Sequence, residues 1–140
     1  MSVTAEVLAY LIAQGVGTSS ILFRDKMPEV KQEAVQDPEV IGCVYEGSAS
    51  PPELEFGAAV ARWEFPNVQL VFRGRPNERD AARAKAKAAW DAMLLIQGET
   101  TLSGTRYVFC QPLQSPFPLR EDEKQRHYIA CNYSLQKEPS

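Results

Sequence analysis

Phe65-Pro66-Asn67-Val68-Gln69-Leu70-Val71-Phe72-Arg73 decides the fold class. Val68, Leu70 and Phe72 fall at every second position, with Gln69, Val71 and Arg73 between them. That is the period of a strand with two unlike faces. A few residues later the period changes. Ala82, Ala86, Ala89, Trp90, Met93 and Leu94 recur at helical spacing and predict a helix over about 78–97, with Arg79, Arg83 and Lys87 forming a basic stripe beside them. Asn77 offers a cap, Asp80 stands three residues later, and Gly98 suits the left-handed position past the end. The alanines keep the apolar stripe thin, so this helix can lie close to a sheet with Trp90 as its anchor.

Outward from this strand–helix pair the same two periods alternate. Val3, Val7, Leu8, Leu11 and Ile12 predict a helix over 3–14, with Ser2 as cap, Gly15 just past the end, and Tyr10 and Gln14 off the stripe. Ile21-Leu22-Phe23 reads as a short strand, and Pro28 and Pro38 punctuate an irregular, charged stretch. Val40-Ile41-Gly42-Cys43-Val44-Tyr45 is β-branched and aromatic and reads as a strand. Gly47-Ser48-Ala49-Ser50-Pro51-Pro52 reads as a loop, because two prolines remove backbone donors; a flexible loop is expected over 47–61. Thr105 to Leu113 is read as a strand with Tyr107, Phe109, Gln111 and Leu113 on one face, Pro116 to Arg126 as a loop. His127 to Gln136 is read as the last strand, with Ile129, Cys131, Tyr133 and Leu135 on one face, and residues 137–140 as a frayed tail. The expectation is one α+β domain over 1–140, a mostly antiparallel sheet packed against two helices.

Most chemistry is missing from the pattern. His127 is the single histidine; it shares a strand face with Cys131, but four residues along a strand span ~13 Å, too far for one metal ion. Cys43, Cys110 and Cys131 form no Cys-x-x-Cys pair and sit inside apolar runs, so they are expected to be reduced and buried, in cytosol or in a particle assembled there. The serines lie in no Gly-x-Ser-x-Gly turn, and nothing around Arg73-Gly74-Arg75 makes a phosphate loop. Glu121-Asp122-Glu123 sits among Arg120, Lys124 and Arg126, which favours ion pairing over acid–base catalysis. No apolar run approaches the ~20 residues of a membrane span. The opening residues lack the basic and apolar regions of a signal peptide. The expectation is a protein without catalytic residues, cofactor or metal.

Charge is unevenly spread. Residues 1–64 carry 4 basic and 10 acidic side chains, residues 65–140 carry 11 and 8. Arg73, Arg75, Arg79, Arg83, Lys85 and Lys87 make a basic run that suits phosphate contact, but no aromatics interleave it and a solvated helix face is the favoured reading. Complementary surfaces that meet in an assembly are the functional reading of the split. The candidate pair is Glu53, Leu54, Glu55 and Phe56 against Arg79, Arg83 and Lys87. Leu54 and Phe56 can equally fold back on their own core.

A wider pattern runs along nearly the whole chain. A short N-terminal helix precedes Leu22-Phe23 and Met27-Pro28. Glu64-Phe65-Pro66-Asn67-Val68-Gln69-Leu70-Val71-Phe72-Arg73-Gly74 follows, then an alanine- and basic-rich helix. Asp122-Glu123, Arg126 and Asn132-Tyr133 come last. In this order and spacing they resemble a family of phage minor capsid proteins that act as tail terminators. Where that family usually has glycines, before its Asp-Glu pair and before its Arg, this chain has Arg120, Glu121 and Gln125, so its last turn is expected to differ. On the residues themselves, Pro66 fits a strand edge or start, Arg73 an outward charge at a strand end, and Asp122, Glu123 and Arg126 an ion-paired turn; these and Asn132 read as structural. The resemblance implies a virion protein, assembled in the host cytoplasm, that caps the head-proximal end of the tail tube and stops its polymerisation. It implies a self-assembled ring, commonly a hexamer, between the major tail tube protein and the head–tail connector, with genome DNA passing through without sequence-specific binding. A head-completion or connector protein is the rival in the same setting, and a small cytosolic ligand-binding or enzymatic domain the rival from another class.

Overall fold

A computed structural model describes residues 2–29, 32–34, 36–47, 50–54 and 61–138. In chain order the described elements are α1 (Val3–Ala13), β1 (Leu22–Arg24), β2 (Val40–Glu46), β3 (Ser50–Leu54), β4 (Ala61–Phe65), β5 (Asn67–Gly74), α2 (Arg79–Met93), β6 (Gln97–Leu102), β7 (Thr105–Pro112), β8 (Phe117–Glu121) and β9 (His127–Lys137). The class is α+β, with two helices and a mostly antiparallel sheet.

β9 is the axis of that sheet. β5 and then β4 run antiparallel along one of its edges, β8 and then β7 along the other: Ala130 faces both Val71 and Phe117, and Ser134 both Asn67 and Gln111. β2 pairs antiparallel with β5, β1 adds in parallel to β2, and β6 pairs with β7. β2 runs on towards β3, and β4 runs on into β5, so the two halves of a ribbon pair as β2·β5 and β3·β4. Among the described residues, Glu64↔Lys137 pairs the outer half with β9.

The alternation read in β5 and β9 sorts the two faces. Val68, Leu70, Phe72, Ile129, Cys131, Tyr133 and Leu135 share one buried cluster with Val7 and Leu11 of α1 and with Ala82, Ala86, Ala89 and Met93 of α2. The intervening residues Val71, Tyr128 and Ala130 form a second, smaller cluster on the opposite face, with Met27, Tyr45 and Phe117 against it. Contact between helix and sheet is close where the strand ends. A Cβ on Gly74 would stand 2.6 Å from the backbone oxygen of Glu78, so the residue after Arg73 has room for hydrogen alone. Tyr10, off the apolar stripe of α1, donates its hydroxyl to Ala92 O at 2.6 Å and satisfies a carbonyl in the last turn of α2.

Several expectations need correction. Helix α2 ends at Met93, not near 97. The chain turns there so that Ile96 enters the core, fully buried, while Leu95 points out, and Gly98 takes its positive φ of 66° inside the start of β6. Asn77 is not the cap. It takes φ 63° in the preceding turn, Glu78 holds the cap position, and the Glu78 carboxylate makes no capping bond because it is bound by the Arg75 guanidinium at 3.1–3.2 Å. The loop read over 47–61 holds a strand at Ser50–Leu54, paired with β4 through an irregular register. The loop read over 116–126 holds the edge strand β8, where Pro118 costs no ladder bond to a further neighbour. Tyr107 does not share a face with Phe109. The register slips between them against Lys137 and Gln136, so Tyr107 and Cys110 point into the core while Phe109 and Leu113 are 39% and 54% exposed. Residues 137 and 138 are not frayed: Lys137 is 1% exposed, and Glu138 and Arg106 exchange hydrogen bonds at 2.9 and 3.0 Å.

The three cysteines lie on β2, β7 and β9, free and buried. Burial raises the thiol pKa of Cys43 and Cys131, and pushes Cys110 up to about 12 with help from neighbouring Cys131. Only thiolates react with alkylating reagents. In native buffer at pH 8 all three are therefore expected to label at least tenfold slower than in denaturant, read by mass spectrometry. Fast native labelling of all three would contradict these strand positions.

Candidate functional site

Two regions collect the residues singled out in the sequence. The first is a polar chain on the sheet face away from the helices. Arg73 is 2% exposed, not an outward charge as its place at the strand end suggests. Its Nε donates to Gln32 Oε1 at 2.6 Å, its Nη2 to Pro28 O at 3.3 Å and its Nη1 to Tyr128 Oη at 3.4 Å. The Tyr128 hydroxyl in turn donates to Asp122 Oδ2 at 3.3 Å. Asp122 also takes the Arg126 guanidinium at 2.8 Å and the backbone N–H groups of Lys124 and Arg126, both at 3.0 Å. Burial opposes the Asp122 carboxylate, but these hydrogen bonds and the Arg126 charge outweigh it, and its pKa falls below the ordinary value. Arg120 lies over the Tyr128 ring, 4.0 Å from its centroid.

Tyr128 thus joins Arg73, at the end of β5, to the Asp122–Arg126 turn between β8 and β9. Glu123 sits exposed on that turn. Gln125, standing where the resembling family usually has a glycine, keeps a left-handed φ of 62°. Asn132 is on β9 opposite Gln69, and Pro66 is buried at the β4–β5 junction, where its carbonyl accepts from Leu135 N at 2.9 Å. His127 lies 4.0 Å from Glu121. Sequence reading missed Gln32 and Tyr128. It also missed Glu6, which is fully buried and accepts from Tyr107 Oη at 3.0 Å. A lone acid on an otherwise apolar helix face was the available signal for Glu6.

The second region is the outer face of α2. Arg79, Arg83 and Lys87 stand one turn apart and all are exposed. Lys87 pairs with Asp91. Among the described residues Arg79 and Arg83 make no ion pair. Towards the C-terminal end of this face, Arg83, Lys87 and Trp90 with Ser115 and Pro116 line a cavity of about 400 Å³. A second hollow of about 590 Å³ lies at the other end of α2, between Glu39, Asn77, Glu78, Asp80 and His127. The acidic patch proposed to complement this face is only partly placed. Glu53 and Leu54 belong to β3 opposite Trp63 and Ala61, while Glu55 and Phe56 lie outside the described residues. Among the described residues, β3, which carries Glu53 and Leu54, pairs with β4, whereas α2 lies over β5 and β9.

No family model matches this chain, and no curated protein does. Solved structures do match. A chain of the virion of a native gene transfer agent particle aligns over 99% of this chain and 96% of its own, at 15% identity and a TM-score of 0.65. A second solved chain aligns over 99% of this one and 100% of its own, at 12% identity and a TM-score of 0.53. Both likenesses are of fold and run from end to end.

Among the described residues no helix is long and apolar enough to cross a membrane.

Proposed function

We propose that this chain is a structural virion protein without catalytic activity, and that within the virion it is a tail terminator. It caps the head-proximal end of the tail tube, stops polymerisation and contributes to the head–tail interface. The observation that carries the reading is the end-to-end fold likeness to a chain of a gene transfer agent virion. The sequence pattern resembling tail terminators supports the finer role. Within it, Arg73 and the Asp122–Arg126 pair, far apart in sequence, are joined through the Tyr128 hydroxyl. The partners proposed are further copies of this chain in a ring of six, the major tail tube protein on one side and the connector on the other, with DNA passing through the hole.

Deleting the gene from its virion and imaging the particles tests the role. Tails longer than wild type by a factor of two or more, restored to normal length by supplying the protein, are expected. Tails of normal length that fail to join heads would move the protein to head completion or the connector. Intact infectious particles would remove it from the virion altogether.

A further inference from the structure

We infer that the cavity on α2 lined by Arg83, Lys87, Trp90, Ser115 and Pro116 receives the segment Glu53-Leu54-Glu55-Phe56 of a second copy of this chain. The inference rests on the ring reading above and supplies it with a contact.

The cavity has an apolar wall and a cationic rim. Trp90 is half-buried and its ring is held at 6.4 Å from that of Tyr133, so one wall is fixed by the core. Pro116, a rigid residue in the β7–β8 connection, is among the other residues lining it. A volume of about 400 Å³ lies at the low end of the ~300–1,000 Å³ typical of ligand sites and suits one or two apolar side chains. On the rim, Lys87 shares its charge with Asp91, but Arg83 has no acidic partner among the described residues, and neither has Arg79 one turn away. An exposed, unpaired guanidinium beside a tryptophan is matched by a carboxylate flanked by an apolar side chain.

The chain carries such a segment. Glu53-Leu54-Glu55-Phe56 alternates acid with large apolar residues and lies in the acidic first half. Glu53 and Leu54 sit at the end of β3, in the outer half of the ribbon, which among the described residues pairs with β9 at Glu64↔Lys137. Donor and acceptor are different surfaces, so the contact is head-to-tail and closes into a ring when the rotation per copy divides the circle.

The test uses the full-length protein. Arg83→Glu, Glu53→Lys with Glu55→Lys, and the combination of all three are compared by sedimentation and native mass spectrometry, with circular dichroism and melting as fold controls. Each reversal alone is expected to weaken self-association about tenfold per contact, and the combination to restore most of it. A second arm titrates a peptide of residues 50–57 onto the Trp63→Phe protein and follows Trp90 fluorescence. A saturable change that Arg83→Glu abolishes is expected, and it is measurable even if the protein is monomeric in solution. Rings that ignore both reversals, with no Trp90 response to the peptide, overturn the docking and leave the capping role standing. Normal tails from the gene deletion overturn the capping role and leave the peptide response standing. An Arg83→Glu protein that keeps its rings but no longer attaches to tail tubes overturns the second copy as occupant in favour of the tube subunit.

Discussion

Arg73→Met is expected to lower the unfolding free energy by about 3 kcal/mol, and Arg73→Lys by somewhat less. Methionine keeps most of the stem volume, so the loss isolates the guanidinium. Without it, Gln32 Oε1 loses its 2.6 Å donor and Pro28 O its 3.3 Å donor, in a region where Arg73 itself is 2% exposed and Gln32 fully buried. Buried groups left unsatisfied cost about 1–3 kcal/mol each. Lysine keeps the charge but offers one compact ammonium where the fork reaches Gln32, Pro28 and Tyr128. Gln32 remains tied by its own amide to Arg73 O at 2.8 Å, so the native fold is expected to persist. Urea unfolding reads the change, and faster amide exchange at Met27 and Gln32 locates it. A loss below about 1 kcal/mol would show that water or neighbouring side chains replace the guanidinium without cost.

The placement of Arg73 also shows where sequence reading stops. Alternation in Val68–Phe72 and Ile129–Leu135 assigned the helix-facing side because each of those strands keeps a single register along its run. The same alternation implied that Val71 and Arg73 share the other side, but not that this side is covered. Its cover comes from Met27, Pro28 and Gln32, in a stretch whose prolines and charges carry no period. Tyr107–Leu113 was misread for a different reason. A register slip of one residue is invisible in the sequence and exchanges the two faces beyond it. β6 was missed although its turn was legible. Ser103-Gly104 takes φ values of 49° and 87°, the paired left-handed geometry of a tight hairpin, and Ser-Gly between two β-branched runs is a signal for it. Overextending the helix over Leu94-Leu95-Ile96 concealed that signal.

The candidate site was legible as a set of residue types and not as an arrangement. Asp122, Glu123 and Arg126 were readable as an ion-paired turn from their opposite charges and polar neighbours; the Asp122–Arg126 pair forms at 2.8 Å, while Glu123 stays exposed. Their link to Arg73 runs through Tyr128, which reads in the sequence only as an aromatic residue on the second face of β9. The acidic and basic patches were legible as a charge split. The cavity between α2 and Ser115-Pro116 was not, because it depends on how the β7–β8 connection lies beside Trp90.

Asp122→Ala is expected to cost about 3 kcal/mol at pH 7, and the cost is expected to shrink in acid. Two things fail together in the variant. The Arg126 guanidinium, whose side chain is 8% exposed, loses its carboxylate, and the turn loses the acceptor of the Lys124 and Arg126 backbone N–H groups. Breaking one side of a buried pair typically costs about 3–5 kcal/mol; the residual exposure puts this pair at the low end. The folded-state pKa of Asp122 is depressed, so its contribution is fully present above the unfolded value of about 3.9 and is lost as the pH falls through the lower, folded value. The gap between wild type and variant should therefore stay level from pH 8 to about pH 5 and narrow below about pH 4. Asp122→Asn keeps an acceptor for the two N–H groups but not the charge, so it should recover part of the loss at pH 7 and show a flatter pH dependence relative to Asp122→Ala. Paired urea titrations of the three proteins between pH 3 and 8 measure this. A gap that widens in acid would mean that Asp122 is held protonated in the fold, the opposite of what its four donors, Arg126 Nε, Arg126 N, Lys124 N and Tyr128 Oη, impose.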